Sequence, residues 1–120
     1  MRKVLLPLLL AVLGLAIAPA AGAAELPVLK VGYVFTTHHT PLIVAATKGE
    51  AFKDQGVYLR QVAPKERYEL MSGDQPVAIL DLVVAKSDSE TATLFAQKHM
   101  DLALASVTAI MAGVDKGTPI

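Results

Sequence analysis

The segment Leu29–Gly49, with the sequence LKVGYVFTTHHTPLIVAATKG, decides the fold of this chain. Its first part alternates apolar residues, among them Val31, Tyr33 and Phe35, in a run that is typical of a β-strand. The short polar loop Thr36–Thr40 follows, and residues with helical spacing come directly after it. The segment therefore predicts a strand that runs through a hydroxyl- and imidazole-rich loop into a helix.

The start of this helix is predicted at Thr40 and Pro41. Thr40 can serve as N-cap, and Pro41 can occupy the first helical position, where its missing N–H costs nothing. The unpaired N–H groups and the positive end of the helix dipole would then face the loop, which favours a polar or anionic ligand. The alternative is an ordinary strand–helix turn that happens to be polar.

The segments that follow indicate an α/β fold with a β-hairpin insertion. Gly56 is predicted to end the first helical stretch, and Val57–Val62 alternates as a second strand, so that the two strands and the helix form a right-handed βαβ unit. Tyr68–Met71 and Val77–Ala85, joined by a turn at Ser72–Asp74, predict a hairpin. Its second arm is apolar on both faces and is expected inside the sheet, with the first arm at the edge.

Two further helices are predicted to begin just after strands. Ser87 precedes one of them, with Glu90 placed to form a capping box, and Ser106 precedes the other. Because parallel strands end at the same edge of a sheet, the three strand–helix junctions should converge there and bind a ligand. The alternative is that the hydroxyls only cap their own helices. The candidate ligand-binding residues are Thr37, His38, His39, Thr40, Ser87, Ser89, Ser106 and Thr108.

Residues 1–24 are predicted to be a signal peptide rather than part of the fold. Arg2 and Lys3 precede the apolar run Val4–Ala18, and Ala21–Ala23 is an A-x-A cleavage pattern. An uncleaved N-terminal anchor is the alternative. The sequence contains no cysteine, which excludes a disulfide and a lipid-modified cysteine. We therefore expect a periplasmic protein that is not lipid-anchored.

Other classes of chemistry find little support in the sequence. Cleavage after Ala23 leaves nine basic against eleven acidic residues, with no basic stripe for nucleic acid. No metal site is expected, because adjacent side chains such as those of His38 and His39 point in opposite directions in an extended loop, and because His-Glu-x-x-His spacing is absent. Asp81 and Asp101 have no evident acid–base partner. We expect neither an enzyme nor a cofactor.

Two regions of the sequence resemble periplasmic substrate-binding proteins of ABC transporters, in the group that binds nitrate, sulfonates, taurine or thiamine-pyrimidine precursors. The first resemblance lies in Lys30–Val34, His39–Leu42 and Ala46–Gly49. The second lies in Met100–Ser106 and Ala112–Ile120. The predicted hairpin departs from the pattern of that group, and this leaves the ligand subclass open.

The resemblance implies two α/β lobes that close on a small ligand, with residues 25–120 forming an incomplete first lobe, a parallel-type sheet with helices on both faces. It also implies an extracytoplasmic solute-binding role beside a membrane permease, with a sulfonate, nitrate or similar solute held at the residues after each strand. Two alternatives remain. One is a small exported interaction module that pairs through the hairpin edge, and the other is an enzyme acting on a pyrimidine-type or metal-bound substrate.

Overall fold

The computed structural model describes residues 24–120, so that the predicted signal peptide, apart from Ala24, lies outside the described residues. Within residues 24–120, none of the helices has the length and apolar character that a membrane crossing requires. A 3-10 turn, Thr37–His39, and a 3-10 helix, Gly49–Gln55, flank the first α-helix. The regular elements are β1 (Val28–Tyr33), α1 (Thr40–Lys48), β2 (Val57–Ala63), β3 (Arg67–Ser72), β4 (Gln75–Val84), α2 (Asp88–Ala96), β5 (Leu102–Ala103) and α3 (Val107–Asp115).

The described strands form one mixed sheet in the order β2-β3-β4-β1-β5. β1 pairs in parallel with both β4 and β5, whereas β3 is antiparallel to both of its neighbours, β2 and β4. The α/β class is thereby confirmed. The expectation of an edge position for the first hairpin arm is wrong, because β3 lies between β2 and β4 and leaves β2 at the edge. β1 and β2 do run in the same direction, but two strands separate them.

Helices cover both faces of the sheet. On one face, Val31 and Tyr33 of β1 join a buried cluster with Ala46 of α1 and with residues of the hairpin. On the other face, Gly32 lies against Thr91 of α2 and Met100, as the alternation of side chains along a strand requires. The helices are therefore placed as predicted, and β1 is the strand that both layers share.

The predicted hairpin is present, with its turn at Gly73, whose φ of 59° suits glycine. Tyr68, almost fully buried, and Leu80 face each other across it and belong to the main core. Two strand-to-strand ion pairs join the antiparallel strands, Arg60 with Glu69 and Arg67 with Asp81. The hairpin therefore adds both core volume and paired surface charge to this half of the sheet.

The first helical stretch changes character at Gly49. The α-helix ends at Lys48, and the 3-10 helix continues to Gln55, after which Gly56 adopts the left-handed conformation at φ 87°, in agreement with its predicted role. Gly49 packs so closely on the backbone of Leu59 that a Cβ atom would collide with it. This contact fixes where the helical connection rests on β2.

Candidate functional site

The carboxyl ends of three neighbouring strands form one rim of the sheet. β4, β1 and β5 are parallel neighbours, and each of them leads into a helix, α2, α1 and α3 respectively. Such a rim is where α/β proteins place their ligands. The predicted convergence of the three junctions is confirmed by this topology, and contacts between side chains from all three junctions support it.

The junction between β1 and α1 is more closed than the sequence predicts. Thr40 already has helical dihedral angles and begins α1, so that it is not the N-cap; its hydroxyl donates to the carbonyl of Thr37 at 2.6 Å. The backbone N–H of Thr40 also bonds to the Thr37 carbonyl, the N–H of His39 bonds to Thr36, and Pro41 has none. The 3-10 turn thus pairs backbone N–H groups that would be free to bind a ligand in an open loop.

The other two junctions carry the predicted caps. Ser87 Oγ accepts a hydrogen bond from the N–H of Glu90 at 3.1 Å, and Ser106 Oγ accepts one from Ala109 at 3.3 Å. The carboxylate of Glu90 reaches back to the N–H of Lys86 at 2.6 Å, one residue before the position expected for a capping box. The two serines therefore stabilise their own helices, which does not prevent neighbouring groups from serving a ligand.

Asp88, the first residue of α2, is the point at which the three junctions meet. Its Oδ2 lies 3.4 Å from His38 Nε2, and its Oδ1 lies 3.8 Å from His39 Nε2. Ser106, from the third junction, approaches the same carboxylate with its hydroxyl and its backbone N–H. Asp88 is not among the residues predicted from the sequence, because an acidic residue in the first turn of a helix is usually explained by the helix dipole.

The surroundings of Asp88 favour its charged form. Burial alone would raise the pKa of this carboxyl group, but hydrogen bonding from Ser106 and His38, together with the nearby His39 ring, outweighs burial and leaves the pKa below its usual value. Asp88 is therefore a carboxylate at neutral pH. A negative charge accordingly stands among the imidazoles and hydroxyls of the rim.

Three buried polar atoms at this rim have no hydrogen-bond partner within residues 24–120. They are Thr36 Oγ1, His39 Nε2 and Asp88 Oδ1. The His39 residue is only 3% exposed, and its Nδ1 lies 2.9 Å from the carbonyl oxygen and 3.0 Å from the backbone nitrogen of Val34. Because nearly all buried polar groups in proteins are paired, these atoms make the rim the candidate site for a bound group.

The predicted site residues divide into two sets. His38, His39 and Ser106 come together around Asp88, and Thr108 joins them through a 3.2 Å contact with the Ser106 hydroxyl. The second set lies at the same junctions without a described contact to Asp88 and comprises Thr37, Thr40, Ser87 and Ser89.

The cluster does not have the order of a hydrolytic triad. In such a triad the serine hydroxyl bonds to the imidazole, and the carboxylate bonds to the other ring nitrogen. Ser106 instead approaches Asp88, and within residues 24–120 no serine hydroxyl is hydrogen-bonded to His38 or His39.

An apolar groove of about 470 Å³ opens at the same rim on the α1 face of the sheet. Tyr33 and Leu82 form its floor, and Phe35, which is 74% exposed, stands at its mouth beside Val84. The volume falls in the range of small-molecule pockets. The rim therefore carries both a polar cluster and an apolar groove.

Comparison with known proteins agrees with the features of the sequence. The model of the NMT1-like family matches residues 22–119. The chain is also 36% identical over 97 residues to an uncharacterised protein, MJ1180, of Methanocaldococcus jannaschii, and the match covers 79% of this chain and 67% of the relative. No solved structure matches the chain. The family match spans both of the regions that resemble substrate-binding proteins, and the chain belongs to the NMT1-like family.

Proposed function

We propose that this chain is the extracytoplasmic solute-binding component of an ABC importer and that it captures a small polar or anionic solute at the β4-β1-β5 rim. The observation that carries the proposal is the meeting of three polar strand–helix junctions around Asp88. Membership in the NMT1-like family supports a substrate-binding role rather than a catalytic one.

The charges of the rim restrict the solute. The Asp88 carboxylate attracts groups that donate hydrogen bonds and repels an anion unless one of the two imidazoles beside it is protonated. The hydroxyls of Ser106 and Thr108 can both donate and accept. A polar solute with N–H or O–H groups fits this set best, and a sulfonate or nitrate fits once an imidazolium balances Asp88.

A thermal-shift panel on the full chain tests solute capture. The panel contains taurine and other sulfonates, nitrate, bicarbonate and pyrimidines. A solute present at 100 times its Kd should raise the free energy of unfolding by about 2.7 kcal/mol. Calorimetry on Ser106→Ala should then show affinity weakened roughly tenfold, which corresponds to about 1.4 kcal/mol.

Thr93→Ala is the matched control, since the Thr93 hydroxyl is exposed on α2 and donates to the carbonyl of Ser89. It should bind the solute as the wild type does. If no member of the panel stabilises the chain, or if both variants lose affinity equally, solute capture at this rim is refuted.

The periplasmic location and the permease partner are part of the same proposal. The charged n-region, the apolar run and the A-x-A pattern of residues 1–23 support export, and the absence of cysteine supports a protein without a lipid anchor. Osmotic-shock fractionation of expressing cells should release a protein whose N-terminal residue is Ala24. An uncleaved, membrane-bound product would contradict this part of the proposal and leave solute binding unaffected.

A further inference from the structure

The cluster of His38, His39 and Asp88 has the composition of a metal site. One ligand atom from each residue lies within 4.8 Å of the other two. An extended loop would direct the two histidines to opposite sides, but residues Thr37–His39 form a 3-10 turn, and both rings lie near the same carboxylate. Two imidazoles and a carboxylate suit divalent first-row transition metals.

The spacing of the ligand atoms is close to what one ion requires. In a four-coordinate zinc site with bonds of about 2.0–2.2 Å, neighbouring ligand atoms stand about 3.4 Å apart. The separation of His38 Nε2 and Asp88 Oδ2 is 3.4 Å, and that of His39 Nε2 and Asp88 Oδ1 is 3.8 Å. The His38 side chain is 54% exposed, so that its ring is free to move toward the other two ligand atoms, all of which lie within 4.8 Å of one another.

The buried atoms without partners distinguish this cluster from a simple ion pair. A pair of Asp88 with His38 would satisfy Oδ2, but it leaves Asp88 Oδ1 and the buried His39 Nε2 unpaired. Each such atom costs about 1–3 kcal/mol when it is left unsatisfied. A cation between them would satisfy both atoms with one group.

The contacts that orient His39 and Asp88 also support a metal site. When His39 Nδ1–H donates to the Val34 carbonyl, at 2.9 Å, the ring is fixed and the lone pair of Nε2 points to Asp88. Ser106 approaches the Asp88 carboxylate with its hydroxyl and its backbone N–H. Metal-binding histidines and carboxylates in proteins are commonly oriented by hydrogen bonds of this kind.

We propose that His38 Nε2, His39 Nε2 and the Asp88 carboxylate bind one divalent transition-metal ion, with Zn²⁺ as the ion of choice for the test. Three protein ligands leave a coordination position for water or for a donor atom of a solute at the rim. The proposal goes beyond solute capture and does not depend on the transport role, because the metal alone is the probe.

The test uses the full chain, expressed without a histidine tag and freed of metal by a chelator. Zn²⁺ is titrated in competition with a chromophoric chelator, and Co²⁺ absorption reports the geometry of the site. The wild type should bind one Zn²⁺ per chain, and His38→Ala and Asp88→Asn should each weaken binding by at least roughly tenfold. His99→Ala removes an exposed histidine beyond the end of α2 and should bind like the wild type.

His39→Ala is left out because the buried ring also supports the fold. The half-exposed His38 and the isosteric Asp88→Asn carry the test, with circular dichroism as the check that each variant is folded. The proposal is overturned if the wild type binds no Zn²⁺, if Asp88→Asn binds it unchanged, or if His99→Ala loses as much affinity. A solute that stabilises the chain in excess chelator, beside a failed Zn²⁺ titration, would refute the metal site alone.

Discussion

The two halves of the sheet differ in what their polar side chains do. In the antiparallel half, β2-β3-β4, Arg67 donates two hydrogen bonds to Asp81, at 2.6 and 2.8 Å, and so the charges satisfy each other. In the parallel half, β4-β1-β5, His39 and Asp88 keep buried atoms without partners. Tight turns join antiparallel strands, whereas parallel strands lead into helices, and only the second arrangement gathers unsatisfied groups at one rim.

The largest expected effect on stability concerns one tightly packed glycine at each half of the sheet. Gly49→Ala, where the helical connection meets β2, should lower the free energy of unfolding by about 3 kcal/mol, because the added Cβ collides with the Leu59 backbone. Gly32→Ala, in β1, should cost about 1 kcal/mol, since it meets the flexible end of Met100. Urea unfolding measures both. Equal losses would show that the two halves are packed alike.

The next largest effect on stability concerns the N-cap of a helix that follows one of the parallel strands. Ser87→Ala removes the hydroxyl that accepts from the Glu90 N–H and should cost about 1 kcal/mol. Ser89→Ala changes an exposed hydroxyl two residues on, within the first turn of α2, and should leave stability within about 0.5 kcal/mol of the wild type. Thermal unfolding of both variants measures these two losses of stability. A loss at Ser89 as large as that at Ser87 would contradict the capping role.

A smaller effect concerns Lys98, which lies in the left-handed region at φ 60° just past the end of α2. Gly117 occupies the same place after α3 at φ 76°. Lys98→Gly should raise the free energy of unfolding by about 0.5 kcal/mol, because relief of strain exceeds the added freedom of the unfolded chain. Lys116→Gly, at φ −87°, should lower it instead. Stabilisation of both variants, measured by urea unfolding, would contradict the strain argument.

The smallest expected effect is the loss of stability in acid. Hydrogen bonding from Arg67 lowers the pKa of Asp81, and the pKa of Asp88 is lowered as well. Each carboxylate therefore contributes stability that is present above its unfolded pKa, about 3.9, and is lost as pH falls through the lower folded value. Arg67→Gln should flatten this slope, and urea midpoints measured from pH 6 to pH 2 test it. An unchanged slope would contradict the assignment to Asp81.

The order of elements could be predicted from local patterns because those patterns are strong. The alternation in β1, the glycine turn of the hairpin and the serine caps at Ser87 and Ser106 each depend on nearby residues alone. The position of β3 could not be predicted. Which strand pairs with which depends on contacts far apart in sequence, and an amphipathic arm such as Arg67–Ser72 suits either an edge or an interior position.

The candidate site was predicted at the level of the rim but not at the level of its centre. Parallel topology alone brings the junctions together, so His38, His39 and Ser106 could be chosen from sequence. Asp88 could not, because its contacts come from other junctions. The approach of both histidine rings to Asp88 also depends on the 3-10 turn at Thr37–His39. This turn could not be predicted, because the polar segment Thr36–Thr40 has no hydrophobic periodicity that would indicate its backbone angles.

Val34 offers both its N–H and its carbonyl to the same nitrogen of His39, at 3.0 and 2.9 Å. The ring can therefore exist in either tautomer without losing its hydrogen bond to Val34. In one tautomer Nε2 has a lone pair that can bind a cation. In the other tautomer Nε2 carries a proton that can be donated to a hydrogen-bond acceptor. Moving one proton between the two ring nitrogens would thus change which groups His39 can bind, while every backbone atom stays in place.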